Sequence, residues 1–447
     1  MINGTSIVIQ NINGEIVGQM EMTLSFVGAP IDITNKSFDQ WVEIFESELG
    51  IKQLQISGSI VYNNDEQYRK VRHDAFNGNL DTYIINYVSN SSIVEIFTAS
   101  MMPNGLSDAI PHGDKLTTSL TFLSSGPVQI TQIIPVKIGD IFNVDLYTGN
   151  GGNQDIINGL DFESQGGIVW VRDRVIGWNS MFSATDLGVN KQLITNTGVI
   201  TTFSNAVTGF NSDGYSIGNN NSSNFLGDDI VGWSFRRSPK FLDTIAYSGD
   251  GSSGRQILHN LGIQAGLCII KNTSDSSKEW AVQHVSRGSS ALLQLDNSSA
   301  ETVTTTAWDN TPMDSSIVTL GNLDIVNSLG DNYLMMVFAH DPNGFIQCGE
   351  YIGNDSTSNI VVLGWRLQYI MIKSATIAGG WIIFDTARGI DNSGNDARLY
   401  ADSPATESSS TTYLSINSTG FELKSNNPET NSLNETYIYI AIIEEDL

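Results

Sequence analysis

The most regular pattern of apolar and polar positions lies in the second half of the stretch Trp41–Tyr62. The alternation there places apolar side chains on one face and polar ones on the other: Leu54, Ile56, Ile60 and Tyr62 against Gln53, Gln55, Ser57 and Ser59. A period of two residues over this length predicts a half-buried strand. An acidic segment with two aromatic residues, Trp41 and Phe45, comes before it. We expect this loop and strand to form a unit for sheet-to-sheet assembly.

Short strands and turns fill most of the remaining first 130 residues. Asn13-Gly14 between alternating apolar runs predicts a hairpin over residues 1–30, because this pair is a strong hairpin signal. A loop over 28–50 then leads to the strand over 51–62. The later strands are expected at Tyr83–Val88, Ile93–Ala99 and Leu116–Leu123, with a turn at Pro103-Asn104-Gly105 and an end at Gly126-Pro127.

One helix is predicted in this part of the chain, over Glu66–Phe76. Asn63-Asn64-Asp65 supplies candidate N-caps, and Gly78 ends the helix. Its apolar side is formed by four residues at helical spacing: Tyr68, Val71, Ala75 and Phe76.

This order of elements resembles the major tail tube proteins of long-tailed bacteriophages. The resemblance covers residues 1 to about 130. It depends on five features: the opening NGTSIVIQ, Trp41 before the central strand, Asn77-Gly78 after the helix, Gly113-Asp114 before the last strand, and the closing run SLTFLSSG that ends at Gly126. One departure is Met101-Met102-Pro103-Asn104, where a plainer polar turn is expected.

The resemblance implies a structural role in the virion tail. Six copies would close into a ring, and rings would stack into a hollow tube that holds the tape-measure protein and passes DNA without specific binding. Tail terminator and tail-tip proteins would be further partners. Phe38, Trp41 and Phe45 are then candidates for ring or stacking contacts.

The rest of the chain repeats internally. The motif Tyr-x-Gly-Asn/Asp begins at Tyr147, Tyr247 and Tyr351, at intervals of 100 and 104 residues. After each motif comes an apolar strand that ends in a basic residue, and then a Trp: Arg172 and Trp178, Lys271 and Trp280, Lys373 and Trp381. Asp186-Leu187-Gly188, Ser286-Arg287-Gly288 and Ala387-Arg388-Gly389 follow at similar offsets.

These patterns predict an all-β chain with one short helix. A tail-tube β-sandwich or barrel is expected over 1–130, followed by three tandem β-rich repeats at 131–243, 244–346 and 347–447. The repeats could be separate sandwich-like modules or one body of pseudo-threefold symmetry. They resemble the β-rich repeat domains of phage tail and fibre proteins, a resemblance that implies no defined activity.

Charge changes the functional picture. The 447 residues carry a net charge of −26, which argues against DNA binding and against attachment to anionic lipid. Residues 1–135 hold six Lys and Arg residues against 14 Asp and Glu residues. A basic tube wall would bind phosphates and stall DNA, so several of these acids are expected to face the lumen. The two cysteines, Cys268 and Cys348, are expected to be buried free thiols.

No catalytic set or cofactor motif stands out, so we predict no enzyme and no cofactor. The five histidines lack zinc-ligand spacing. Asp391–Asp396 could hold calcium, although a polar turn is the preferred interpretation. Trp178, Trp280 and Trp381 are speculative contacts for host surface glycans, and a role in a repeating core is preferred. Arg172, Lys271 and Lys373 are interpreted as strand-end charges.

The resulting hypothesis is a major tail tube subunit of a virion. It would form stacked hexameric rings around an acidic lumen and carry outward-projecting decoration repeats on a non-contractile tail. No secretory leader or membrane span is expected, so the protein would be made in the cytoplasm of the host bacterium. The alternative is a tail fibre or adhesin whose repeats bind host glycans, with avidity from repetition.

Overall fold

The computed structural model describes residues 6–11, 13–16, 19–27, 30–32, 44–49, 53–61, 65–89, 92–109, 117–125, 128–132, 136–189, 191–202, 205–390 and 396–444. The chain divides into two compact units, Met1–Pro135 and Val136–Leu447. The all-β class predicted from the sequence is confirmed, because strands dominate both units.

The N-terminal unit is one large sheet with a helix and a small separate hairpin. Its elements are β1 (Ser6–Asn11), β2 (Gly14–Glu15), β3 (Gln19–Val27), β4 (Pro30–Asp32), β5 (Ile44–Leu49), β6 (Gln53–Val61), α1 (Glu66–Asn77), β7 (Asp81–Ser89), β8 (Ser92–Ala109), β9 (Thr117–Ser124) and β10 (Gln129–Gln132). The sheet has the order β2-β1-β7-β8-β9-β6-β3, with β10 paired to β8, while β4 pairs with β5.

The core of this unit lies on one face of the sheet, as the alternation predicted. Leu54, Ile56 and Ile60 of β6 are fully buried, and β9 buries Leu120 and Phe122 beside them. Thr118 of β9 is buried too, with its Oγ1 2.6 Å from the hydroxyl of Tyr68 on α1. The helix therefore adds to the core through its own buried face.

The predicted helix is confirmed together with its caps. The Asp65 side chain accepts hydrogen bonds from the backbone N–H groups of Gln67 and Tyr68. Gly78 ends the helix with φ 67° and donates to the carbonyl of Asp74. Phe76 was wrongly placed on the apolar side: it is 90% exposed. It lies five residues after the buried Val71, hence about 140° around the helix axis.

Three details of this unit differ from the sequence prediction. The expected hairpin exists only between β1 and the short β2, because the outgoing β3 pairs with β6. The expected loop over 28–50 contains the paired strands β4 and β5. Pro103-Asn104-Gly105 is not a chain reversal, since β8 runs through it with a bulge between Asn104 and Ser107.

The C-terminal unit consists of many short strands and four-residue helices. For description we call residues 136–243, 244–346 and 347–444 the first, second and third segments. The first contains β11 (Phe142–Thr148), β12 (Gln154–Ile157), α2 (Phe162–Gln165), β13 (Gly167–Asp173), β14 (Met181–Ala184), β15 (Lys191–Ile194), β16 (Ile200–Thr202), β17 (Val207–Asn211), β18 (Gly214–Ile217), α3 (Asn221–Asn224), β19 (Asp229–Arg236) and, at its end, the start of β20 (Leu242–Ser248).

The second and third segments continue the same succession. The second has β21 (Arg255–Leu258), β22 (Ala265–Asn272), β23 (Trp280–His284), β24 (Ala291–Gln294), β25 (Thr302–Val303), β26 (Ile317–Leu320), α4 (Asp324–Asn327) and β27 (Asn332–Ala339). The third has β28 (Ile346–Ile352), β29 (Asn359–Val362), β30 (Leu367–Ser374), β31 (Ile382–Asp385), β32 (Leu399–Tyr400), β33 (Leu414–Asn417), β34 (Gly420–Leu423), α5 (Pro428–Asn431) and β35 (Thr436–Ile443).

Three large sheets share one strand order. They are β11-β19-β13-β14-β15-β16, β20-β27-β22-β23-β24-β25 and β28-β35-β30-β31-β32. All three contribute to a common apolar cluster, in which Trp170, Ile269 and Met371 line a central cavity of about 20 Å³. The segments thus share a core within one compact unit. Their division into three separate domains stays a prediction.

Candidate assembly and binding surfaces

Each Tyr of the repeated Tyr-x-Gly motif holds the end of a four-residue helix. Its hydroxyl donates to the carbonyl of the helix's third residue in all three segments. The pairs are Tyr147 with Ser223 (2.8 Å), Tyr247 with Val326 (2.6 Å) and Tyr351 with Thr430 (2.6 Å). The tyrosines therefore have a structural cause for recurring.

The Gly of the motif recurs because there is no room for a side chain. A Cβ on Gly149, Gly249 or Gly353 would lie 2.0 Å from a backbone carbonyl oxygen of the turn after the helix. The motif is therefore explained by packing.

In each segment, a buried Asn ends the four-residue helix that the Tyr contacts. The sequence analysis missed these three residues. Asn327 is fully buried, and its amide nitrogen donates to Asp250 Oδ1 (2.9 Å) and to the carbonyls of Ser252 (2.8 Å) and Gly321 (3.2 Å). Its Oδ1 accepts from the backbone N–H of Asp250. Asn224 and Asn431 repeat these contacts. A signal was present: NSSN, DIVN and PETN end in Asn at intervals of 103 and 104 residues.

The three cations that were interpreted as strand-end charges are buried. Arg172, Lys271 and Lys373 are fully buried. Burial lowers the pKa of both lysines to about 8 and the pKa of Arg172 to about 10. Each donates to backbone carbonyls, whose residues are Ala405 for Arg172, Lys278 for Lys271, and Ser298 and Ser374 for Lys373.

The three tryptophans do not occupy corresponding places. Trp280 and Trp381 are buried, and the backbone N–H of each donates to an Asp at the start of the next turn. In the first segment, the residue that corresponds to Trp280 and Trp381 is Ser180, whose backbone N–H donates to the side-chain oxygen of Asn196. Trp178 lies two residues earlier and is partly exposed. A buried indole has no open face for a sugar ring, so Trp280 and Trp381 fit the preferred core role.

Buried tryptophans also join consecutive segments. The indole nitrogen of Trp280 donates to the carbonyls of Ile194 (3.2 Å) and Thr197 (3.3 Å) in the first segment. That of Trp381 donates to Gln294 in the second segment, at 2.8 Å. We call these contacts the Trp280 seam and the Trp381 seam.

The third and first segments meet through charged groups, which we call the closing seam. Arg174 of the first segment makes a bidentate pair with Glu407, at 2.7 and 2.9 Å. Arg388 is buried and binds Asp385 Oδ2 (2.7 Å) and Glu407 Oε2 (3.2 Å). The indole nitrogen of Trp233 donates to the same Asp385 oxygen at 2.9 Å, and Arg388 lies over the Trp233 ring.

In the N-terminal unit, the aromatic candidates fall largely outside the described residues. Phe38 and Trp41 lie outside them, and Phe45 lies in β5, where the side chain is not among the described features. Among the described residues of this unit, Lys and Arg occur only on α1, at Arg69, Lys70 and Arg72. Strands β6 and β9 contain no charged residue.

Small-molecule chemistry finds little support in the described part of the chain. No group of three or more His, Cys, Asp or Glu side chains there could hold a metal ion. Asp396 is buried and accepts the N–H groups of Tyr413 and Leu414, while 391–395 lie outside the described residues. Cys268 and Cys348 are buried free thiols, as predicted. The described helices include none with the length and apolarity of a membrane span.

Comparison with known families adds an assignment for each unit. Residues 137–446 match a family model described as "Domain of unknown function (DUF7483)". The chain belongs to the DUF7483 family. Residues 12–130 of this DUF7483 protein match the model "Phage tail tube protein". The N-terminal unit is therefore a phage tail tube protein domain, and the protein is a structural component of a virion tail.

Solved structures give weaker similarities. The tail of an empty GTA particle, with C6 symmetry, is 18% identical with a TM-score of 0.25; the match covers 28% of this chain and 95% of that one. The sheath-tube complex of an extracellular contractile injection system is 9% identical with a TM-score of 0.23, over 30% and 93% of the two chains. No curated protein sequence matches. The assignment of this protein to tails therefore rests on the match of residues 12–130 to the phage tail tube protein model.

Proposed function

We propose that this protein is the major tail tube subunit of a long-tailed phage. Six copies close into a ring, rings stack into a tube, and the C-terminal unit projects outward on a non-contractile tail. The match of residues 12–130 to the tail tube family carries the proposal. Tape-measure, terminator and tail-tip proteins are its expected partners. Phe38, Trp41 and Phe45 are proposed ring or stacking contacts, and no enzymatic step is involved. The protein would be made in the cytoplasm of the host bacterium.

The distribution of charge supports an orientation for the proposed tube. The basic residues described in the N-terminal unit are confined to α1, and a cationic surface would bind DNA phosphates. We therefore place α1 on the side of the unit that faces away from the lumen. The sheet, together with acids of this unit, faces the lumen. Screened repulsion over about 8 Å would keep DNA from adhering to such a wall.

The tube itself is tested by imaging the purified full-length chain and by counting copies in virions. Rings or tubes in negative stain, and hundreds of copies per particle, are expected. Slender trimers at a handful of copies would overturn the proposal in favour of an adhesin. Among the tryptophans, the partly exposed Trp178 would then be the first glycan contact to examine.

The orientation is tested by adding one positive charge on each side of the unit. Ser119→Lys changes an exposed side chain of β9, and Asn77→Lys changes an exposed side chain of α1. We expect Ser119→Lys to slow DNA ejection from virions, with recovery as salt rises. Asn77→Lys should leave the rate unchanged. Equal rates for both variants would contradict the orientation and leave the tube intact.

A further inference from the structure

A cleft of about 550 Å³ lies between the first and second segments of the C-terminal unit. Short stretches of both segments line it: residues 186–187, 191–193 and Ile200 of the first, and residues 246–248, Thr273 and 332–333 of the second. Sites for small ligands usually enclose about 300–1,000 Å³. The cavity in the common core, at about 20 Å³, is far below that range. The cleft therefore has the size of a ligand site.

An ion network occupies the corresponding place between the second and third segments. Arg287 binds Glu301 through two hydrogen bonds, of 2.7 and 2.8 Å, and binds Glu350 at 3.0 Å. Arg287 lies in the turn after β23, Glu301 directly before β25, and Glu350 in β28. The three side chains thus bridge the two segments.

The same three positions are apolar where the first segment meets the second. The repeated motifs and the strand register give the correspondence: Leu187 for Arg287, Ile200 for Glu301 and Ala246 for Glu350. All three apolar residues line the cleft, and we call them its apolar floor. Shorter, uncharged side chains in place of a bridging ion network leave space between the segments.

One buried polar side chain of the cleft lacks a hydrogen-bond donor. Gln192 lines the cleft and is fully buried. Its amide nitrogen donates to Ser183 Oγ at 3.4 Å, but its Oε1 accepts no hydrogen bond from the part of the chain that the structure describes. Leu292 occupies the corresponding position of β24, so the repeated fold does not require an amide there. Because buried amide oxygens usually have a donor, Gln192 marks a place where a ligand can supply one.

The charges at the cleft favour a neutral ligand. Asp186 is the one acid among the described residues that line it, and its carboxylate already accepts from Thr244 Oγ1 at 2.5 Å and from Arg237 at 3.4 Å. A cationic ligand would therefore find no free carboxylate there. Lys191, which is exposed, is the one base among the same residues. The net charge of −26 on the whole chain repels anionic ligands.

The arrangement of polar and apolar groups narrows the ligand class further. Lys191, Thr273 and Asn332 offer polar side chains at exposed or partly exposed positions of the cleft. A purely apolar ligand would leave Gln192 Oε1 without a donor. An added peptide strand would bind through the backbone of a sheet edge, whereas the groups named here are side chains. A sugar ring combines an apolar C–H face with hydroxyl groups that both donate and accept hydrogen bonds.

We propose that this cleft binds a hexose unit of a neutral glycan. The ring lies on the apolar floor, and one of its hydroxyl groups donates to Gln192 Oε1. This inference goes beyond the proposed function, because the cleft belongs to the C-terminal unit and does not depend on tube formation. It places sugar recognition in a cleft without tryptophan, whereas the sequence suggested Trp178, Trp280 and Trp381 as the contacts.

Ligand-observed NMR with the purified full-length chain tests the inference. The probes are neutral trisaccharides of glucose, galactose, mannose and N-acetylglucosamine, and matched trisaccharides that contain a uronic acid. We expect at least one neutral trisaccharide to bind, and Gln192→Leu to raise its Kd at least tenfold. Gln283→Leu is the matched control, since Gln283 is also buried with an unpartnered Oε1 but does not line the cleft. It should change the Kd less than twofold.

A second variant rebuilds the ion network inside the cleft. L187R/I200E/A246E introduces the side chains that bridge the second and third segments, and we expect it to abolish detectable binding. If this variant does not fold, the pair Q192L and Q283L decides alone.

Three results would overturn the inference. The first is that no neutral trisaccharide binds. The second is binding restricted to the probes with a uronic acid, which would contradict the neutral class. The third is a Kd that Q192L leaves within twofold, or that Q192L and Q283L raise equally.

Discussion

The Trp280 and Trp381 seams differ in chemistry from the closing seam of the C-terminal unit. The first two each use an indole N–H that donates to a carbonyl of the preceding segment. The closing seam uses Arg174, Arg388, Asp385 and Glu407, with Trp233 beside them. Chain connectivity holds consecutive segments near one another, whereas the third and first segments have no such link. An ion pair of 3.0 Å between Arg287 and Glu350 also joins the second and third segments, but the bidentate Arg174–Glu407 pair and the buried Arg388–Asp385 pair occur at the seam without chain support.

The seams also differ in the length of chain that each contact closes. The contacts of Trp280 and Trp381 close loops of 86 and 87 residues, and each uses a buried indole with one or two hydrogen bonds. Bringing residues 174 and 407 together closes a loop of 233 residues, which adds about 1 kcal/mol of loop-closure cost over the other two seams. Charge-assisted bidentate pairs supply both energy and register.

The largest expected effect comes from breaking the closing seam with Arg388→Met. The change leaves the fully buried Asp385 carboxylate without its cation and removes one partner of Glu407. An uncompensated buried charge typically costs about 3–5 kcal/mol, so we expect a loss of that size in the free energy of unfolding by urea.

Arg366→Met is the matched control for the closing seam. Arg366 pairs with Glu444, and both side chains are more than a third exposed. An exposed pair contributes at most about 1 kcal/mol. Equal destabilisation by the two variants would contradict a special role for the closing seam.

A smaller loss is expected from Trp381→Phe. The variant keeps an aromatic ring but loses the 2.8 Å hydrogen bond to the carbonyl of Gln294 at a partly buried site. We expect a loss of about 1–3 kcal/mol in the urea unfolding free energy. Trp365→Phe removes a similar bond to Pro342 at a more exposed site and should cost less. If Trp381→Phe proves more costly than Arg388→Met, the ranking of the seams is wrong.

The smallest effect is expected from Asp173→Asn, next to the buried cation Arg172. In the second segment, Asn272 donates to Asp331 at 2.9 Å, but the first segment has two carboxyl groups, Asp173 and Asp228, in these places. Burial, together with the charge of Asp228, raises the pKa of Asp173 to about 6. The variant restores the amide–carboxylate pair and should raise the unfolding free energy by about 1–2 kcal/mol at pH 7.5.

The sign of the pH dependence follows from the raised pKa. The stability contributed by protonated Asp173 is fully present below the ordinary carboxyl pKa of 3.8 and is lost as pH rises through about 6. The gain from Asp173→Asn should therefore vanish at pH 4. Urea unfolding at both pH values checks this, and an equal gain at pH 4 and 7.5 would contradict it.

Local patterns predicted the local structure well. Asp65 and Gly78 located the ends of α1, and alternation identified the buried faces of β6 and β9. The internal period brought out the three segments with their Tyr-x-Gly loops. Where one segment departs from the others, the period misled: Trp178 was aligned with Trp280 and Trp381, although Ser180 takes their place.

Contacts between distant residues could not be read from the sequence. Arg174 and Glu407 are 233 positions apart, and nothing in their neighbourhoods marks them as partners. The burial of Lys373 is also non-local, because its ammonium group donates to the carbonyl of Ser298 in the second segment, 75 residues away. The prediction for Phe76 failed for a simpler reason: it was counted on the apolar side at helical spacing, although it lies about 140° around the helix axis from Val71.

The buried Asn amides have a consequence for how these loops can vary. Each amide grips the carbonyl two residues after the Asn or Asp of the motif, at Gly152, Ser252 and Ser356. The next strand starts four residues after Asn150 but five after Asp250 and Asn354. Beyond this carbonyl, the loop is one residue shorter in the first segment than in the other two, and the next strand forms in all three. We expect a foreign peptide inserted between Ser356 and Asn359 to leave the scaffold beneath it unchanged.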